Sequence, residues 1–172
     1  DLLPEKKKIA VSIMRVNHCG EVCAQALYRA QMLFAQSSTF KSTLQQMADE
    51  ELEHLIITNK RLNELQGKQS KLNPLFYISS FILGSIFAMK SDQLSRGFLK
   101  ETENQVQLHL KKFILKAKET DPKSEEILSK MLLDEMKHEE TASLNDYEEL
   151  SNLSKKLMAK LSQAMVYTTS KF

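Results

Sequence analysis

Two copies of one short pattern, a Glu followed three positions later by a His, constrain the fold of this chain of 172 residues. Glu51 and His54 form the first copy, and Glu135 and His138 form the second. Three residues of a helix turn through about 300°, so both side chains of a copy leave the same face about one turn apart. This is the spacing of two ligands to one metal ion if both segments are helical.

The composition favours helices along the whole chain. Gly occurs only 4 times and Pro 3 times, whereas good helix formers such as Leu, Lys, Glu and Ala are plentiful. Apolar residues recur at helical spacing, and no segment alternates with period two for long enough to form a strand. The length suits one substantial core, so we expect a single domain over residues 1–172.

Start and stop signals such as Pro4, Ser37, Gly67, Ser91 and the Asp121-Pro122 turn divide the chain into six predicted helices. Their predicted bounds are about 4–36, 40–65, within 72–89, 93–119, 122–150 and 153–167. The predicted fold is all-α: a ferritin-like four-helix bundle with an extra apolar helix between helices two and four and a C-terminal amphipathic helix.

Each Glu-x-x-His helix follows a helix that carries an acid near its middle, Glu21 in the first half and Glu103 in the second. One Glu on each of two helices, combined with Glu-x-x-His on the other two, is the ligand pattern of di-iron and di-manganese bundles. Oxygen and imidazole donors favour iron or manganese over the thiolate-rich sites of structural zinc. The candidate metal ligands are Glu21, Glu51, His54, Glu103, Glu135 and His138.

Other polar residues near these positions have simpler interpretations. A single Glu-x-x-His on a helix is more often a solvated face, and only the duplicated context favours ligands. The neighbouring acids Glu50 and Glu139 are interpreted as surface residues, and Cys19 and Cys23 as small packing residues in a reducing compartment. His18 is either a partner of a ligand or a hydrogen-bonded core residue.

The segment between Lys71 and Lys90 has no charged residue. Its 15 or 16 helical residues span about 24 Å, which is short of the roughly 30 Å hydrocarbon core of a bilayer, so a transmembrane helix is disfavoured. Ser80, Gly84 and Ala88 could pack against a neighbouring helix and leave an apolar side for a membrane or a ligand entrance. The last predicted helix is amphipathic and basic. The net charge of +2 gives no reason to expect a nucleic-acid partner.

The stretch Arg15 to Gln31, RVNHCGEVCAQALYRAQ, resembles the first-helix signature of the demethoxyubiquinone hydroxylases, di-iron monooxygenases of ubiquinone biosynthesis. That signature typically reads R-V-N-H-A-G-E, then a small-residue turn and I-Y-x-G-Q. The resemblance continues through DEELEHL, the uncharged helix, ETENQVQLH and LDEMKHEE, and so covers almost the whole chain.

The resemblance implies a role for each candidate ligand. Glu21 and Glu103 correspond to the ligands of the lone-acid helices, Glu51 and Glu135 to bridging carboxylates, and His54 and His138 to terminal imidazoles. Alignment of His109 and the Asp121-Pro122 turn selects Glu103 over Glu101. This sequence departs from the family pattern at two positions, with Cys19 where Ala is usual and Leu110 where a Tyr is expected. The second departure puts in doubt a relay through that tyrosine, although Tyr28 remains near the first ligand.

The implied activity is hydroxylation of a demethoxyquinol ring by two Fe²⁺ ions, with O₂ as co-substrate and NADH or a quinol as the reductant. The resemblance implies no catalytic residue beyond the six metal ligands. A polyprenyl quinol substrate implies peripheral attachment to the inner membrane of a bacterium, or to the mitochondrial inner membrane in a eukaryote. A lipid-handling accessory protein and homo-oligomerisation stay open. The alternatives are a ferritin-like iron-storage or peroxide-reducing protein and a metal-free helical scaffold.

Overall fold

The computed structural model describes residues 2–171, and six α-helices account for most of that range. They are α1 (Pro4–Phe34), α2 (Ser38–Glu64), α3 (Asn73–Ala88), α4 (Asp92–Thr120), α5 (Pro122–Ser143) and α6 (Asn152–Lys171). No strand occurs among these residues. The prediction of an all-α chain is confirmed.

Four helices form a closed ring of contacts. α1 packs against α2 and α4, and α5 packs against α4 and α2. This arrangement is consistent with the predicted ferritin-like bundle. The two extra helices both contact α1 and α4, with α3 packed mainly along α1. Gly84 of α3 makes this close approach possible, since a Cβ there would lie 3.1 Å from the backbone oxygen of Leu27.

Polar side chains hold the two ends of the bundle. At one end, the Asp92 carboxylate accepts the backbone N–H groups of Gln36 and Ser37 at 3.0 and 2.7 Å, which ties the α1–α2 turn to α4. At the other end, the Arg61 guanidinium pairs with the buried Asp121 carboxylate at 2.7 Å. This pair ties α2 to the α4–α5 turn, so the position of α2 along the bundle is fixed at both ends.

Two apolar clusters fill the bundle and leave its middle to polar residues. The first cluster contains Leu27, Tyr28, Phe40, Leu44, Met47, Ala48, Phe98, Leu99, Ala142 and Leu150. The second contains Ala10, Ile13, Met14, Leu62, Leu65, Leu110, Ala117, Leu128 and Met131. On each of the four bundle helices, the candidate ligand lies in sequence between a member of one cluster and a member of the other. The ligands are therefore enclosed from both ends.

The predicted end of the fifth helix at Leu150 is wrong, because α5 ends at Ser143. The chain then crosses α4, where the Glu148 N–H donates to the Gln93 carbonyl at 2.9 Å. The crossing needs Gly97, since a Cβ there would lie 1.8 Å from the Glu148 oxygen. Burial of Leu150 in the first cluster stabilises this path. The other predicted bounds agree within two residues, except that α6 continues to Lys171.

The predicted buried face of α5 is also shifted. Apolar residues at helical spacing predict a buried face of Ile127, Met131, Leu132 and Met136, but Met136 is 49% exposed. The face that lies inward consists of Ser124, Leu128, Met131, Glu135, His138 and Ala142. The apolar pattern predicts the wrong face of α5 because two polar candidate ligands, Glu135 and His138, lie on the face that points into the bundle.

Candidate metal centre

The structure brings all six predicted ligands together in the middle of the bundle. α1 and α4 contribute one Glu each, and α2 and α5 contribute one Glu and one His each. All six side chains are buried: Glu21, Glu51, His54, Glu103, Glu135 and His138. Charged side chains are rarely buried unless they are paired or bind metal, so this cluster needs a compensating positive charge.

The six residues form two overlapping groups. One group is Glu21, Glu51, His54 and Glu135, and the other is Glu51, Glu103, Glu135 and His138. Within each group, one potential ligand atom per residue lies within 4.8 Å of all the others. Two Glu residues are common to both groups. The arrangement therefore suits two metal ions that share two carboxylates, with one further Glu and one His for each ion.

Both imidazoles present Nδ1 to the shared carboxylates. His54 Nδ1 lies 3.3 Å from Glu51 Oε2 and 3.4 Å from Glu135 Oε1, and His138 Nδ1 lies 2.9 Å from Glu51 Oε1. The two ring centroids are 6.5 Å apart. The imidazoles thus lie on either side of the shared carboxylates, as terminal ligands of a metal pair would.

The outer nitrogen of each imidazole contacts an acid that the sequence analysis did not select. His138 Nε2 lies 2.9 Å from Glu50 Oε2, and His54 Nε2 lies 3.3 Å from Asp134 Oδ2. Each acid immediately precedes a shared Glu but contacts the His of the opposite helix. Glu50 is a surface residue, as expected from the sequence, with a side chain that is 43% exposed, but it also contacts a candidate ligand. Such carboxylate–histidine contacts orient imidazole ligands and raise their basicity.

The protonation of the cluster reflects the cost of burying several carboxylates together. Burial and nearby carboxylates raise the pKa values of Glu21 and Glu103 well above their usual range. Burial would also raise the pKa of Glu51, but contacts with the two imidazoles lower it overall. Although burial opposes it, Glu135 and Glu51 raise the pKa of His54 to about 10 and that of His138 to about 12. Protons thus balance the charge, and bound metal ions would replace them.

The donor set fits two divalent iron ions. Glu135 Oε2 and His138 Nδ1 are buried within the cluster, and among the described residues no contact of either atom has hydrogen-bond geometry, although His138 Nδ1 lies close to Glu51 Oε1. This is uncommon for buried polar atoms. Four carboxylates carry four negative charges when ionised, and two Fe²⁺ ions would neutralise them. Carboxylate and imidazole donors are those that non-haem iron and manganese accept in bundles of this type.

Neighbouring polar side chains hold the carboxylates in place. The Tyr28 hydroxyl donates to Glu103 Oε1 at 2.7 Å, and burial together with the Glu103 carboxylate raises the pKa of Tyr28. The phenol therefore stays a donor. The Gln107 amide donates to Glu139 Oε2 at 2.7 Å and lies 3.4 Å from the Glu135 carbonyl, so Glu139 is also more than a surface acid.

Several other residues singled out in the sequence lie outside the cluster. Glu101 accepts a hydrogen bond from Gln105 and is not one of the grouped acids. His18 lies 3.4 Å from the Asn73 amide at the start of α3, and burial lowers its pKa, so it joins two helices as a neutral core residue. Cys19 and Cys23 are both free thiols.

A cavity of about 70 Å³ reaches the carboxylates from the side of α1, α4 and α6. Its lining is largely apolar, with polar atoms from Asn17, Thr102, His109 and Ser162. His109 Nε2 and Ser162 Oγ lie 2.8 Å apart, so α6 closes the outer side of the cavity. Leu110, which replaces the tyrosine expected from the resemblance, is buried in the second apolar cluster and does not line the cavity.

Gly20 leaves part of this cavity open. A Gly inside a helix, one residue before the candidate ligand Glu21, predicts either a bound group or a close packing contact at that position. A Cβ at Gly20 would meet no heavy atom within 4 Å, so packing does not require the Gly. Because Gly in a helix interior costs about 1 kcal/mol relative to Ala, the open space favours a bound group.

The model of one protein family, described as ubiquinone biosynthesis protein COQ7, matches residues 8–169. The chain belongs to the COQ7 family. All six grouped side chains, both outer acids and the cavity lie within the matched range. This confirms the family resemblance that the first-helix motif indicated.

Curated relatives agree with this assignment to the COQ7 family. A protein of Dechloromonas aromatica is 44% identical over 169 residues, which cover 96% of this chain and 82% of the relative. A relative from Chromobacterium violaceum is 46% identical over 83% of this chain and 69% of the relative. A relative from Coxiella burnetii is 43% identical over 98% of this chain and 77% of the relative. Each of these three proteins is named 3-demethoxyubiquinol 3-hydroxylase.

The outer acids provide a test of the metal centre. We expect Glu50→Gln and Asp134→Asn each to lower iron affinity about 10–100-fold while the helical content is kept, because the imidazoles lose their orienting carboxylates. Anaerobic titration with Fe²⁺ measures the affinity. Glu53→Gln serves as the control, because it removes an exposed acid that lies about one helical turn after Glu50 on α2. Equal affinities for all three variants would show that the outer acids have no part in metal binding.

Proposed function

We propose that this chain is a di-iron monooxygenase that hydroxylates the ring of 3-demethoxyubiquinol in ubiquinone biosynthesis, with O₂ as co-substrate. The observation that carries the proposal is the pair of overlapping Glu and His groups at the inner end of a cavity. The names of the curated relatives and the family match over residues 8–169 support this substrate and reaction.

The six grouped residues would hold the two Fe²⁺ ions. Bound iron would supply the activation of O₂, which the protein side chains cannot provide themselves. Hydroxylation of one C–H bond uses one O₂ and two electrons and forms one water, so a reductant is needed; NADH and a quinol are the two candidates. Tyr28 fixes Glu103, and Glu50 and Asp134 fix the imidazoles, so the ligands are held before the substrate arrives.

The cavity is where the quinol ring would bind. Its apolar wall suits a hydrophobic substrate, and the hydroxyl, amide and imidazole groups on its lining can bind the ring oxygens. Burial and the nearby Lys112 ammonium lower the pKa of His109, which keeps the imidazole neutral as a hydrogen-bond partner. At about 70 Å³ the cavity is smaller than the roughly 300 Å³ of ordinary ligand pockets, so α6 must shift to admit the ring.

The exposed apolar faces of α3 and α6 support peripheral membrane attachment. Within residues 2–171, no helix has both the length and the hydropathy needed to span a bilayer. Exposed leucine, isoleucine and methionine side chains instead follow both helices. They are Leu75, Ile78, Ile82, Ile86, Met89, Leu153, Leu157 and Leu161. Such faces bind in the interfacial region of a bilayer, where a polyprenyl quinol is available.

We therefore propose peripheral attachment to the inner membrane of a bacterium, a proposal that the bacterial sources of the relatives support; the mitochondrial inner membrane is the equivalent in a eukaryote. A ferritin-like storage or peroxide-reducing protein is the alternative that could use the same ligands. The space at Gly20 and the exposed faces of α3 and α6 argue against it, because neither is needed for storage.

The reaction is tested directly with iron-loaded protein, a short-chain demethoxyquinol and O₂. We expect the hydroxylated quinol as the product, detected by mass spectrometry, with one oxygen atom from ¹⁸O₂. Glu51→Ala and His138→Ala should lose both iron and activity, since each removes a ligand. Full activity in either variant would contradict the site, and peroxide consumption or iron mineralisation without hydroxylation would favour the ferritin-like alternative.

Substitutions at Gly20 test whether the cavity holds the ring. Gly20→Ala should stabilise α1 by about 1 kcal/mol and raise Tm by about 2–4 °C. Gly20→Leu should fill the cavity and lower kcat/KM at least tenfold while the iron content is unchanged. Thermal unfolding, iron analysis and steady-state kinetics separate these effects. Wild-type kcat/KM in Gly20→Leu would mean that the ring binds elsewhere.

Membrane attachment is tested with paired charge substitutions. Ile78→Glu combined with Ile82→Glu should weaken liposome binding at least tenfold, because each exposed Ile contributes about 1 kcal/mol or more when it leaves water. Leu115→Glu combined with Leu133→Glu changes two exposed leucines on α4 and α5 and is the control. Co-sedimentation with vesicles gives the binding constants. If the two pairs have the same effect, α3 does not face the membrane.

A further inference from the structure

A second concave surface adjoins the catalytic cavity. This groove of about 970 Å³ lies between the first half of α1 and the last halves of α4 and α6. We call it the basic groove. His109, Phe113 and Val166 line both the basic groove and the cavity, so a molecule in the groove would lie beside the path to the carboxylates.

Positive side chains dominate the polar lining of the basic groove. Among residues 2–171, five cationic residues line it, and Glu5 supplies the one carboxylate in the lining. The lysine and arginine ion pairs found within residues 2–171 involve other residues, namely Arg61, Lys123, Lys137 and Lys155. The five cations of the groove have no carboxylate partner among these residues, although Arg15 donates to the Lys68 carbonyl and Lys171 to the Tyr167 hydroxyl. The groove therefore favours an anionic ligand. The five cations are Lys8, Arg15, Lys112, Lys116 and Lys171.

The floor of the basic groove is apolar. Ile13 is buried, and three further apolar side chains are half-buried: Val11, Phe113 and Val166. A ligand that matches both parts needs a hydrocarbon chain and an anionic head. A polyprenyl quinol is neutral and would leave the lysines unmatched, whereas a dinucleotide has two phosphates but no hydrocarbon chain to extend along the apolar floor.

We propose that the basic groove binds one anionic phospholipid, with its phosphate against the lysines and an acyl chain along the apolar floor. Charge complementarity and the apolar floor both select this ligand. The bound lipid would hold the α4 and α6 side of the cavity at the bilayer surface. This site goes beyond the proposed reaction, and lipid binding requires neither iron nor the quinol.

The first test compares vesicles of phosphatidylcholine with and without phosphatidylglycerol, using the full chain. Lys112→Gln combined with Lys116→Gln should weaken binding to the anionic vesicles about 30-fold at low salt. Binding to neutral vesicles, which depends on the apolar faces, should be unchanged. Lys41→Gln combined with Lys130→Gln removes the same charge from exposed positions on α2 and α5. Equal losses in both pairs would mean general charge attraction and would overturn the site.

The second test asks whether the groove binds a single lipid molecule. Isothermal titration with short-chain phosphatidylglycerol, kept below its micelle concentration, should show saturable binding that the Lys112→Gln and Lys116→Gln pair loses. Val11→Asp should weaken this binding too, because it places a charge on the floor. Binding of inorganic phosphate or NADH in place of the lipid, with the same loss in the lysine pair, would overturn the lipid assignment.

A variant that lacks one of the candidate metal ligands distinguishes this inference from the proposed function. Iron-free Glu51→Ala should bind the short-chain lipid as wild type does. Lipid binding without any hydroxylase activity would leave the groove assignment intact and reject only the reaction. Hydroxylase activity without saturable lipid binding would reject only the groove assignment.

Discussion

The burial of four carboxylates at one place is the interaction on which the rest of this structure depends. Carboxylates in a low-dielectric interior repel one another and lose their hydration, so they must be protonated or neutralised by cations. Two imidazoles and the protons on Glu21 and Glu103 provide part of this balance. A pair of divalent ions would provide it completely and would also supply a partner for the two buried atoms that make no hydrogen bond.

The two halves of the bundle orient each other's candidate ligands. Glu50 on α2 contacts His138 on α5, and Asp134 on α5 contacts His54 on α2. A shift of either helix would therefore disturb the imidazole of the other. The ion pair of Arg61 with Asp121 and the capping contacts of Asp92 restrict such shifts at the two ends of the bundle. The positions of the two imidazoles thus depend on polar contacts at the ends of the bundle, well away from the candidate metal centre.

The sequence was sufficient for the helices and for the six grouped residues, because both follow from local periodicity. It was insufficient where contacts between helices decide the outcome. Glu50 resembles any surface acid until α5 is placed beside it, although the acid before each shared Glu was a usable signal. Hydrophobicity predicts that Met136 is buried, but Glu135 and His138 occupy the buried face of α5 instead. The end of α5 depends on the crossing at Gly97, which no local pattern indicates.

The position of the carboxylates between two apolar clusters has a consequence for the order of assembly. Both clusters can form before any ion is bound, because none of the six candidate ligands belongs to either cluster. Small zinc domains are unfolded without their ion, whereas this bundle has hydrophobic burial on either side of its binding centre. The polypeptide could therefore fold before any metal is bound, and cells short of metal would then hold a folded protein whose candidate centre is ready for loading.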